Sequence, residues 1–396
     1  MMLESDFIKE IDFEVSSICN AGCPVCSRMY QGHYTPFPQT YWSIDEVERV
    51  FDKSIIKNLH RLSICGNYGD AMGNPDIVKI VEWVRKINRN CYIDIRTNAG
   101  LGKREFYERL GQLNVHMVFG IDGVGEANQL HRVNVEWDRV HENVAAFSSK
   151  AWTHRRELQF LLWNETTDQI VPIIDFCREM MIDTLYLRRP YTHGDWTEVF
   201  SIDGKSTHFL SELKDPSAEF IIESRWRLEE LESLRERVIA ANIPVGELRV
   251  SDLKEKPKRV WTERPYYYDP TDFTDEEIEQ MESKTKQTCF SKNSIDSSRL
   301  TGNSYNVYVT HNKLLMPCCL IPPYITSHIT HYSGYSTGYE REIMNKMIEI
   351  GFDRFSLKNK TLAETINGGV LRDFIYDDLE RGDAFGLCKF HCGKCE

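Results

Sequence analysis

Over roughly its first half the chain alternates strand-like and helix-like segments, and that alternation restricts it to an α/β fold of parallel strands covered by helices. Ile11, Phe13 and Val15 alternate with polar residues, as a half-buried strand does. Ser43 followed by Glu46 is a capping-box signal for a helix holding Val47, Val50 and Phe51. Leu62 and Ile64 read as the next strand. The same rhythm then gives a helix over 77–87, a strand over 92–96, a helix over 104–113 and a strand over 115–121. Segments 137–147, 158–162, 170–180 and 184–188 complete about six strand–helix units, fewer than the eight of a closed barrel. From about Thr192 the rhythm breaks. Residues 193–288 read as an insertion or bridge, with an amphipathic helix over 226–241 and an aromatic loop of Trp261, Tyr266, Tyr267 and Tyr268. Residues 289–396 hold short strand-like pieces at 305–309 and 314–316 and a helix after Thr361, and read as a small cysteine-organised domain. The expected division is therefore 1–192, 193–288 and 289–396.

With 396 residues and 41% hydrophobic content the chain can bury a large core. Its apolar runs fall far short of the roughly 20 residues that a membrane span needs. The first nine residues lack the basic-then-apolar order of a secretory signal, so a cytoplasmic location is expected. A net charge of -12 argues against binding along a nucleic-acid backbone, which needs a basic surface. In such a setting 12 cysteines point to metal ligands rather than disulfides.

Their positions form two groups. Cys19, Cys23 and Cys26 make a CxxxCxxC run in a loop directly after the first strand; Cys289, Cys318, Cys319, Cys388, Cys392 and Cys395 cluster late; Cys65, Cys91 and Cys177 are scattered. Three thiolates can hold three irons of a four-iron cluster and leave the fourth iron without a protein ligand. A zinc knot is the competing reading of the first group, although structural zinc prefers four ligands in CxxC pairs. The late group has more thiols than the four that one fully ligated cluster needs, and its CxxC ending also suits structural zinc.

The CxxxCxxC run resembles that of the radical S-adenosylmethionine superfamily, and further segments follow in family order. Gly66-Asn-Tyr-Gly69-Asp70, with Asn74-Pro75-Asp76, is similar to the glycine-rich turn and acidic residue that contact the methionine amino group, Asp70 standing where glutamate is usual. Thr97-Asn98, Gly120-Ile121-Asp122-Gly123 with His131-Arg132, Asn164 and Arg188 match successive strand ends. The resemblance implies a partial (β/α)6 TIM-like barrel with the ligand at the C-terminal strand ends. It also implies a [4Fe-4S] cluster on Cys19, Cys23 and Cys26, with S-adenosylmethionine on its open iron. Methionine contacts fall to Gly69 and Asp70, and ribose, adenine and carboxylate contacts to Asn98, Asp122, Asn164 and Arg188.

The late cysteines resemble the SPASM/twitch extension of the same superfamily, a small cysteine-rich α+β domain. Asn312-Lys313-Leu-Leu-Met-Pro317-Cys318 is similar to a hairpin whose last residue is a ligand, with Lys313 in place of the customary glycine. The resemblance implies a second, auxiliary [4Fe-4S] cluster on Cys289, Cys318, Cys392 and Cys395, Cys388 and Cys319 being substitutes. His131 reads as an exposed histidine at a helix start, Cys91 and Cys177 as core, and Cys65 as a packing residue that could line the cavity.

The expected reaction is hydrogen-atom abstraction from a substrate carbon, leading to dehydrogenation or rearrangement, with an electron donor such as flavodoxin or ferredoxin. Only 18 residues precede Cys19, which leaves no room for a leader-binding domain and favours a small-molecule substrate. A peptide- or protein-modifying enzyme forming a thioether or carbon–carbon crosslink is the alternative. Epimerisation is another, with Cys319 or Cys388 as the hydrogen-donor thiol; Cys65 is a further catalytic candidate. A zinc-organised binding protein is the competitor from a different class.

Overall fold

The computed structural model describes residues 5–26, 28–30, 33–34, 39–190, 196–200, 205–246, 248–253, 260–261, 305–317 and 339–376. Six strands, β1 (Ile8–Phe13), β2 (Arg61–Ile64), β3 (Tyr92–Thr97), β4 (His116–Gly120), β5 (Arg156–Leu161) and β6 (Thr184–Arg188), lie parallel and pair in chain order. Helices α1 (Ile44–Val50), α2 (Lys53–Asn58), α3 (Ile77–Ile87), α4 (Arg104–Gln112), α5 (Trp137–Ser148) and α6 (Ile170–Glu179) connect them. The mixed α/β architecture with a parallel sheet is the one expected. Ser43 caps α1 as its spacing predicts: its hydroxyl accepts from the Glu46 N–H at 3.3 Å, and the Glu46 carboxylate accepts from the Ser43 N–H at 3.1 Å.

Successive strand residues face opposite sides of a sheet, and here the two sides differ chemically. Ile11 and Phe13, Leu62 and Ile64, Ile93 and Ile95, Met117 and Phe119, Leu158 and Phe160, and Leu185 and Leu187 are all at most 1% exposed. They pack with the helices in one core, each full burial contributing about 1.5–3 kcal/mol. Apart from Val118, the intervening residues are polar, and several pair along the other face. Arg61 Nε donates to Asp94 at 2.8 Å, the Ser63 hydroxyl donates to the same carboxylate at 2.9 Å, and His116 stands 3.8 Å from Glu157.

Strands β7 (Trp196–Phe200) and β8 (Ser206–Ser211) form an antiparallel hairpin. β9 (Ser224–Arg227) then lies antiparallel to β6, followed by α7 (Leu231–Ala241). The helix expected over 226–241 therefore starts later. Trp226 belongs to β9, where Arg225 stacks on the Tyr186 ring at 3.9 Å across the strand pair. β10 (Tyr305–Val309) runs parallel to β1 on the opposite edge, with β11 (Leu315–Met316) antiparallel to it. The sheet order is β9-β6-β5-β4-β3-β2-β1-β10-β11, so β1 and β6 meet other neighbours and the barrel is open. Helices α8 (Tyr339–Ile350) and α9 (Leu362–Asn367) follow, α9 opening with the Thr361–Glu364 capping box. Among the described residues no helix is long and apolar enough to cross a membrane.

The β7–β8 hairpin covers Leu130, Val133 and Trp163 through Val199 and Leu210. His208 is buried there, 3.4 Å from the Leu130 carbonyl, and burial pushes its pKa down to about 4. The unfolded chain, with histidine near 6.5, therefore takes up the proton first. Stability is complete above about pH 6.5 and falls as pH drops, by roughly 2 kcal/mol from this residue at pH 5 and roughly 3 kcal/mol at pH 4. Urea midpoints at pH 7.5 and 5.0 check this: the difference should shrink in His208→Gln.

Candidate active site

The loop after β1 carries the three cysteines and is held from several sides. Ser17 N–H donates to the Thr40 carbonyl at 2.9 Å, Gly22 N–H to Val133 at 2.8 Å, and an Arg28 guanidinium nitrogen to the Ala21 carbonyl at 3.0 Å. Donors also point at sulfur. The Ala21 N–H and the Asn98 amide each lie 3.4 Å from Cys19 Sγ, and Arg132 lies 3.8 Å from Cys23 Sγ. Burial pushes the Cys19 thiol up to about 12, with the Arg28 charge acting against it; burial likewise raises Cys23, opposed by Arg132.

The turn after β2 lies directly against this loop. Asp70 N–H donates to the Ile18 carbonyl at 2.9 Å, and a Cβ at Gly69 would stand 2.8 Å from Ser17 Cα and collide with the Ser16 carbonyl. Gly69 is thus required by backbone packing on the cysteine loop. Asp70 is only 5% exposed, and its carboxylate accepts from Met72 N–H at 2.9 Å, the Thr97 hydroxyl at 2.8 Å and Asn98 N–H at 2.7 Å. Burial pushes this carboxyl up against those hydrogen bonds.

A cavity of about 330 Å³ opens between the two segments. Cys19, Cys23, Cys26, Cys65, Gly69, Asp70 and Asn98 all line it, so the structure brings those expected residues together. Among the described residues no three metal-ligating side chains converge on a single ion position. Three thiols lining one cavity suit a four-iron cluster, in which each thiolate meets a different iron.

Asp122, Asn164 and Arg188 stand elsewhere. Asp122 is fully buried behind the wall, accepting from His131 Nδ1 at 2.6 Å and Leu161 N–H at 2.8 Å and pairing with Arg132 at 2.6 Å. Asn164 opens a 3-10 turn and its carbonyl accepts from the Thr167 hydroxyl at 3.1 Å. Arg188 stacks on Tyr186 at 5.2 Å and lies 3.8 Å from Glu223. His131 is 1% exposed, not an exposed helix-start residue: Asp122 and the Trp163 ring, 5.1 Å away, enclose it. Cys91 and Cys177 are core, as expected. Cys289, Cys318, Cys319, Cys388, Cys392 and Cys395 lie outside the described residues.

Sequence reasoning missed Arg28, Arg96 and Gln159 on the cavity wall. For the last two a signal existed: Asp94 and Arg96 alternate with Ile93 and Ile95, and Gln159 sits between Leu158 and Phe160.

The deciding comparison is with known families: residues 13–185 match the family described as the radical SAM superfamily. Over this stretch the chain is similar to a radical SAM domain. The match begins on β1 and ends on β6, so the matched stretch coincides with the six parallel strands and contains the whole cavity lining. No curated protein matches the chain significantly. Among solved structures, Streptococcus suis SuiB bound to S-adenosylmethionine is 16% identical, with a TM-score of 0.45 over 79% of this chain and 61% of that one. The chain thus spans 61% of the length of SuiB. The structure of anSMEcpe with bound AdoMet and the Cp18Cys peptide is 14% identical, with a TM-score of 0.46 over 98% and 86%. BtrN in complex with AdoMet and 2-DOIA is 16% identical, with a TM-score of 0.28 over 37% and 55%.

Proposed function

We propose that the protein is a radical S-adenosylmethionine enzyme that abstracts a hydrogen atom from a substrate carbon. The supporting observation is the shared cavity of Cys19, Cys23, Cys26 and the Gly66–Asp70 turn inside the radical SAM domain. A [4Fe-4S] cluster held by Cys19, Cys23 and Cys26, with S-adenosylmethionine beside the Gly66–Asp70 turn, would supply one-electron reductive cleavage of the sulfonium, with methionine and 5′-deoxyadenosine as the products once a substrate hydrogen has been taken. The chain's own residues position and insulate that chemistry. Arg28 and Arg132 offset the charge of buried thiolates, and Asp70 ties the turn to Thr97 and Asn98 so that the wall keeps its shape.

Arg96 and Gln159, from β3 and β5, face the same cavity. The Arg96 side chain is 43% exposed and its paired carboxylate oxygen is 3.9 Å away, which leaves the guanidinium able to orient a polar substrate. The substrate in this reading is a small polar molecule that is dehydrogenated or rearranged, recognised through these two side chains. An auxiliary [4Fe-4S] cluster on Cys289, Cys318, Cys392 and Cys395 would accept the electron left by such an oxidation, and a flavodoxin or ferredoxin would supply the first one. In support, Lys313 has a φ of +68°, the left-handed conformation natural to the glycine customary there.

Anaerobically reconstituted protein given dithionite and S-adenosylmethionine should release 5′-deoxyadenosine. No release above background from protein that binds both iron and S-adenosylmethionine would overturn the proposal.

A further inference from the structure

We infer that Glu14 and His311 are positioning residues that couple the segment leading to Cys318 to the wall of the S-adenosylmethionine pocket. The inference rests on the function proposed above. Glu14 is fully buried. One carboxylate oxygen accepts from the Tyr68 N–H at 2.7 Å, and the other from His311 Nδ1 at 2.7 Å and the His311 N–H at 3.3 Å. A single carboxylate thus bonds the glycine-rich turn to a residue 297 positions away.

Further contacts make the coupling stiff. The His311 and Tyr68 rings meet edge to face at 5.3 Å, and the Asn67 amide donates to the Tyr308 hydroxyl at 3.2 Å. A Cβ at Gly66 would lie 3.2 Å from the Glu14 carboxylate, so the turn rests on it closely. The same hairpin also grips the cysteine loop from behind: Trp42 Nε1 donates to the Thr310 carbonyl at 3.0 Å, while neighbouring Thr40 holds Ser17. Tyr68 lines the cavity, whereas Glu14 and His311 are not among its lining residues, so they act through Tyr68 and the turn. Cys318 follows His311 by seven residues, at most about 25 Å of extended chain. Binding free energies are reciprocal: whatever orders the pocket turn also orders the 305–317 segment.

Hydrogen exchange of reconstituted wild-type protein, with and without S-adenosylmethionine, should show slower exchange in residues 305–317 when the ligand is bound. His311→Ala should bind S-adenosylmethionine about tenfold more weakly and alter the paramagnetic resonance signal of the ligand-bound cluster, at unchanged iron content. His311→Asn, which keeps a donor near the Nδ1 position, should restore affinity to within about threefold. Unchanged exchange over 305–317 in the wild type, or wild-type affinity and an unchanged signal in His311→Ala, overturns the coupling. Failure of the wild type to bind S-adenosylmethionine at all overturns the proposed function itself.

Discussion

Asp122→Ala should destabilise the protein by about 3–5 kcal/mol, because it removes the one carboxylate that pairs a buried histidine and a mostly buried arginine. Arg132 is 20% exposed at its side chain and His131 1%, and both lie 2.6 Å from the same carboxylate oxygen. Burial works against the charged Asp122, yet Arg132 and then His131 hold its carboxyl below the usual range. Its contribution is therefore complete above the unfolded value near 3.9 and is lost only as pH falls through the lower folded value. At neutral pH the full effect appears, roughly 5 °C in thermal midpoint for a chain of this size. Arg132 also lies against Cys23, so the variant should hold less iron at the first site. Calorimetry on the apo-protein separates the two effects. An apo midpoint within about 2 °C of wild type would remove Asp122 from this role.

Gly69→Ala should be comparably severe. The added methyl group would meet backbone, the Ser16 carbonyl and Ser17 Cα, and no rotamer change relieves a backbone collision. Either the turn or the cysteine loop must retreat, at a cost of about 3 kcal/mol. Since Asp70 N–H bonds Ile18 in the same contact, the retreat separates the two halves of the site. Loss of S-adenosylmethionine binding together with a lower urea midpoint is expected. Near-wild-type values for both would contradict the packing described. Gly125→Ala is the control: no atom lies within 4 Å of the added carbon there, although its φ of +65° carries a local strain of its own.

Periodicity exposed most of the barrel because the strands bury one face under helices and, Val118 of β4 apart, leave the other largely polar. Ile93 and Ile95 against Asp94 and Arg96 show the pattern within a single strand. Ser43 and Thr361 announced their helices because capping is local chemistry. What the sequence could not show depends on distant partners. β10 joins the sheet through β1, some 297 residues earlier, and no local pattern identifies such a neighbour. Trp226 reads as helical until Leu185 and Tyr186 pair its segment into a strand. His131 looks like a surface residue until Asp122 and Trp163 close over it. In the site, spacing exposed the three cysteines, while the arginines that serve them come from separate elements and have no common motif.

Anaerobic iron and sulfide quantitation, with electron paramagnetic resonance, on wild type and on the Cys19→Ala/Cys23→Ala/Cys26→Ala variant tests the account most directly. It predicts about eight irons per chain falling to about four in the variant, the remainder held by the late cysteines. Iron content unchanged by the triple substitution, or zinc in place of iron after anaerobic purification and reconstitution, would contradict it.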